Sequence, residues 1–157
     1  MSISNAIDAF NSLIVINNDR IHGYKTAANE IESPEMKQFF LELSETSVTC
    51  RNELIKEVKR LGGIPDESTK TSGKFFRMWM SIKAVITGND LNTIVKLCQY
   101  GENAALDTYK DVLIQEVHEI KPAEQDILNN QYALLKRDYK KLKLIHNALK
   151  SEHNNNA

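Results

Sequence analysis

From Ile3 onward, apolar and semi-polar residues return in steps of three and four: Ile3, Ile7, Phe10, Ile14, Asn17, Ile21, Tyr24, Ala28 and Ile31. That spacing is the seam of a helix in a nearly aligned bundle, and it predicts a first helix from Ser4 to Glu32. Ser33 and Pro34 stop it and start a second, since serine is a good N-cap and proline suits the first helical position. A link this short makes the two helices antiparallel neighbours. Met36, Phe40, Leu43, Ser47, Cys50, Leu54 and Leu61 continue the pattern to Gly62-Gly63, a pair that tolerates left-handed backbone.

The polar stretch IPDESTKTSG then precedes KFFRMWMSIKAVITG, which predicts a short helix capped by Thr71 or Ser72 and closed by Gly88. A third long helix is expected from Asn89 or Asp90 through Leu91, Ile94, Val95, Cys98, Glu102, Ala105, Tyr109 and Val112. Pro122 opens a fourth, with a seam of Ile127 or Leu128, Gln131, Leu135, Asp138, Leu142, Ile145 and Leu149. The link between the second and third long helices is long and the other two are short. One long central crossover is the connectivity of ferritin-like bundles, whereas up-down-up-down bundles use three short loops. The expected fold is thus all-α: a ferritin-like four-helix bundle over residues 1–152, with a crossover helix, followed by a frayed polar tail at 153–157.

Composition narrows the function classes. The chain has 157 residues, with 20 Lys plus Arg against 21 Asp plus Glu, so no net field draws in nucleic acid or an anionic membrane. Cys50 and Cys98 lack the paired spacing of a zinc or dithiol site and read as buried hydrophobes in a reduced compartment. No run resembles a signal peptide or a membrane span, which leads us to expect a soluble, cytoplasmic protein.

The polar residues in the seams carry the candidate chemistry. Aligning Tyr24 with Tyr109 sets NNDRIHGY beside ENAALDTY, and Asn17 then corresponds to Glu102. Ferritin-like metal centres take one Glu from each of two helices and a Glu-x-x-His from each of the others. Here Asn17 stands at one glutamate position, and the pairs at the matching spacing are Ser47 with Cys50 and Leu135 with Asp138. Such a set lacks the charge that two cations require. We therefore expect no cofactor, and a buried polar layer of Asn17, Tyr24, Ser47, Glu102, Tyr109, Gln131 and Asp138 in which Asn17 donates to Glu102. The alternative is a reduced site holding a single iron, manganese or zinc ion on Glu102, Asp138 and His22.

Leu13-Ile14, Asn18-Asp19, Gly23-Tyr24, Leu61-Gly62-Gly63-Ile64-Pro65, RMWMSIKAVITGND at 77–90 and GENAALDTY at 101–109 together resemble a bacterial ferritin-like four-helix-bundle family, domain of unknown function 2383. The resemblance implies a ferritin-like fold in a soluble bacterial protein with no established activity.

The remaining features read more plainly. His118, His146 and His153 suit the surface, and KRDYKKLKLIHNALK suits a solvated helix end where cations oppose the dipole. FFRMWM is apolar on more than one side, which makes Phe75, Phe76, Trp79 and Met80 candidates for a homodimer interface or for burial beneath the crossover. The resulting expectation is a non-enzymatic, stress-associated or accessory protein that works by self-association, as a dimer, or by binding a protein partner that the sequence does not name. The stress association is an analogy of fold.

Overall fold

A computed structural model describes residues 3–69, 91–115 and 120–155. Four helices occupy them: α1 (Ile3–Glu30), α2 (Pro34–Arg60), α3 (Leu91–Gln115) and α4 (Pro122–Asn155). The expected crossover helix, with Phe75, Phe76, Trp79 and Met80, lies outside the described residues, as does His118.

Local chemistry sets the helix ends. Ser33 caps α2, its Oγ accepting from the Met36 N–H at 3.3 Å, with Pro34 in the first turn. At the other end Gly62 adopts φ 83°. Its N–H bonds the Lys59 carbonyl at 3.0 Å while the Gly63 N–H bonds that of Val58 at 2.9 Å, the paired bonds of a Schellman ending. A Cβ placed on Gly63 would lie 2.8 Å from Cγ2 of Ile7, so the end of α2 packs directly on the start of α1. α4 opens on Lys121, whose N–H donates to Glu124 at 3.2 Å, half of a capping box. Arg60 also donates to Glu124, joining the end of α2 to the start of α4.

Side-chain pairs fix the helix directions. Arg20 bonds Ser47 and the Tyr24 ring stacks on Phe40 at 5.9 Å, so α1 and α2 are antiparallel. Asn17 meets Tyr109 while Tyr24 meets Glu102, which makes α1 and α3 antiparallel. Gln131 with Cys50 and Arg137 with Thr46 do the same for α4 and α2. The helices α2 and α3 therefore run parallel, and the chain between them must travel the length of the bundle. This all-α four-helix bundle has the one long and two short connections that the seams predict.

Two asparagines hold the start of that crossover against α1. Asn11 donates to the Ile64 carbonyl at 3.1 Å and accepts from the Asp66 N–H at 2.9 Å. Asn18 donates to the carbonyls of Asp66 at 3.3 Å and Ser68 at 3.0 Å. Four extended residues advance about 13 Å, enough to track the two helical turns between Asn11 and Asn18.

The seams meet in a core that includes Phe10, Leu13, Ile14, Phe40, Leu54, Ile94, Leu128 and Leu135, all at most 1% exposed. Each such side chain contributes about 1.5–3 kcal/mol by leaving water. Among the described residues α4 is the longest helix, at 34 residues against 28 for α1, and it continues through Asn155, into the stretch the sequence suggested would fray.

Candidate functional site

The bundle centre contains a residue that the seam pattern passed over. Arg20 is three residues after Asn17 and four before Tyr24, so the three share a stripe of α1. Its side chain is fully buried. Arg20 Nε and Nη2 donate to Glu102 Oε1 at 3.0 and 2.8 Å. Nη2 also reaches Asp138 Oδ2 at 3.3 Å, and Nη1 donates to Ser47 Oγ. One guanidinium thus touches α3, α4 and α2 from α1. Tyr24 adds a hydroxyl donated to Glu102 Oε1 and a ring whose centroid lies 5.4 Å from the guanidinium carbon, within cation–π range.

Three residues earlier on α1, about 4.5 Å along its axis, a second chain of hydrogen bonds crosses the bundle. Asn17 Nδ2 donates to the Leu13 carbonyl at 2.9 Å and to the Tyr109 hydroxyl at 2.8 Å. Tyr109 donates to Gln131 Oε1 at 2.7 Å, and Gln131 Nε2 donates to the Cys50 carbonyl at 3.1 Å and to Glu53 at 3.4 Å. This layer is uncharged up to Glu53, and like the first it visits all four helices. The expected bond from Asn17 to Glu102 is absent. The amide is taken by Tyr109 and its own helix, while Arg20, a stronger donor, holds the carboxylate.

The two layers explain the Tyr24 and Tyr109 repeat. Tyr109 on α3 accepts from Asn17 on α1, and Tyr24 on α1 donates to Glu102 on α3. Each tyrosine therefore meets the residue that stands seven positions before the other, as an approximate twofold axis between α1 and α3 requires.

Burial dominates the electrostatics. It pushes the Glu102 carboxyl above its ordinary value, with Arg20 and the Tyr24 hydroxyl pulling back. Burial likewise raises both tyrosines far above the ordinary phenol range, so they serve as neutral hydrogen-bonding groups. For Arg20 burial works against the charge, but Glu102 and Asp138 outweigh it and keep the guanidinium protonated. Asp138 faces both ways: its second oxygen accepts at 3.3 Å from Arg137, which is 52% exposed and also reaches Thr46 at 3.4 Å. Among the described residues, Glu102 Oε2 and Asn17 Oδ1 are buried without a hydrogen-bond partner.

All seven residues expected in the polar layer are buried. His22 is exposed and does not join Glu102 and Asp138. Among the described residues, no group of three or more His, Cys, Asp or Glu side chains is placed to hold a metal ion. Both cysteines are buried free thiols, and burial pushes Cys50 up to about 12. No helix among the described residues is long and apolar enough to cross a membrane.

Fold and site together define an all-α four-helix bundle whose centre is laced by two polar layers, one of them charge-compensated by an internal arginine. The chain belongs to the family described as a domain of unknown function, DUF2383, whose profile matches residues 5–115. That match takes in Asn17, Arg20, Tyr24, Ser47, Glu102 and Tyr109, while Gln131 and Asp138 on α4 lie beyond it. No curated protein matches the chain.

Proposed function

We propose that this is a non-enzymatic, ferritin-like bundle of the bacterial cytoplasm that acts through self-association or partner binding, in an accessory, stress-associated role. Its centre is balanced by Arg20 instead of by metal. The observation that carries this reading is the Arg20 guanidinium lying between Glu102 and Asp138. With Arg137 on the far side of Asp138, two arginines face two carboxylates. A divalent ion in the same place would meet a guanidinium at contact range in a poorly screened interior. The donor set does not fit two metal ions either, since Asn17, Ser47, Cys50 and Leu135 stand where ferritin-like centres carry carboxylates and imidazoles.

A one-metal carrier is the rival reading, and the unpartnered Glu102 Oε2 is the feature that favours it. Elemental analysis of protein purified from metal-supplemented cells separates the two. The proposed reading expects less than a tenth of an equivalent of iron, manganese or zinc. Near-stoichiometric metal that Glu102→Ala removes would establish the carrier.

A further inference from the structure

A groove of about 410 Å³ runs between α2 and α4, lined by Gln38, Leu41, Glu42, Glu45, Leu134 and Arg137 among others. Its two walls carry opposite charge. Of the residues lining it, Glu42 and Glu45 on α2 and Arg137 on α4 are exposed; the exposed Lys140 and Lys141 follow Arg137 on α4 beyond the groove's lining. The contact of Arg137 with Thr46 sets the antiparallel register. One turn onward along α4 brings Lys140 and Lys141 level with Glu42, one turn back along α2. Leu41, 38% exposed, and the half-buried Leu134 supply apolar surface beside the charges.

This arrangement complements itself. A twofold axis laid along the groove, parallel to the helices, sets α2 of one copy opposite α4 of the other at the same height. Each acidic wall then faces a basic wall, twice over. Nucleic acid would meet the glutamates, and a strongly basic partner would meet the lysines. Among the described residues Arg137 bonds Asp138 and Thr46 through Nη2, and the same side chain lines the groove. The geometry points to a second copy of this chain as the occupant: an isologous dimer through the α2–α4 face, in which Glu42 and Glu45 of each copy meet Arg137, Lys140 and Lys141 of the other. This inference rests on the self-association reading and names its surface.

Sedimentation velocity over a range of protein and salt concentrations provides the test, with circular dichroism to verify that each variant is folded. The wild type is expected to dimerise, more weakly at high salt. Glu42→Lys/Glu45→Lys makes both walls basic, and Lys140→Glu/Lys141→Glu leaves mainly acid; like charges across the interface should weaken each homodimer about a hundredfold. Mixing the two variants in equal amounts should restore dimers, because each reversed wall then meets its opposite. A dimer indifferent to both reversals would overturn this surface and leave self-association standing. A wild type that is monomeric at every concentration would overturn both.

Discussion

Arg20 places two N–H groups on a single oxygen of Glu102, at 3.0 and 2.8 Å, and leaves the other oxygen of that carboxylate unpartnered among the described residues. A fork-to-fork pair would engage both oxygens. The Tyr24 hydroxyl donates to the same Oε1, so three donors converge on that one oxygen. Glu102 is therefore held firmly on one side and is bare on the other.

Breaking this pair should cost far more than deleting it. Arg20→Met leaves Glu102 buried without its cation and should destabilise the protein by about 3–5 kcal/mol. Adding Glu102→Leu should recover most of that loss, with Asp138 still held by Arg137. Urea unfolding of the two single variants and the double variant checks this. Additive losses would show that the two residues do not act as a pair.

The protonation of Glu102 makes a signed prediction. Burial raises its pKa in the folded protein above the ordinary 4.5, so the folded state holds that proton more tightly than the unfolded chain. The associated stability is fully present below the ordinary value and is lost as pH rises through the raised one. Melting temperatures of the wild type and Glu102→Gln, measured from pH 4 upward, isolate the effect from other carboxylates. The wild type should lose ground relative to the variant as pH rises, and a constant difference would contradict the shift.

Both thiols should be inert in the native protein. Cys50 is raised to about 12 and Cys98 is also raised, each chiefly by burial, which suppresses the reactive thiolate. A thiol reagent at pH 8 should label neither residue until denaturant is added, and then both. Rapid modification of the folded protein at either site would restore a redox role to consideration.

The two glycines after α2 should fail for different reasons. Gly62→Ala must hold φ 83°, and is expected to cost about 1 kcal/mol whatever its neighbours. Gly63→Ala meets Ile7 atoms at 2.8 to 3.0 Å. Ile7→Ala should therefore relieve part of the Gly63→Ala penalty and none of the Gly62→Ala penalty, which thermal melts of the double variants would reveal.

The helices were legible because their punctuation is local: Ser33-Pro34, Gly62-Gly63 and Pro122 act through capping and backbone freedom within a few residues. The polar seam positions were legible for a similar reason, since Asn17, Ser47, Glu102, Gln131 and Asp138 fall on the three-and-four spacing. Arg20 was not, because Ile21 fills the next place in that spacing and a lone arginine on a helix ordinarily reads as solvated. A signal was nonetheless present: two carboxylates assigned to one buried layer call for a cation, and Arg20 shares a stripe with Asn17 and Tyr24. The docking of the crossover was illegible, because Asn11 and Asn18 bind backbone carbonyls and N–H groups, which leave no mark on residue type.

The split of charges between the two halves also decides which halves are able to pair. The α1–α2 hairpin brings Arg20 to the centre and the α3–α4 hairpin brings Glu102 and Asp138. Two copies of the first hairpin packed seam to seam would bury two guanidiniums together, and two copies of the second would bury four carboxylates. Only unlike halves neutralise one another, so the buried charges guard a bundle joined by a long crossover against exchanging the wrong hairpin with a neighbouring molecule.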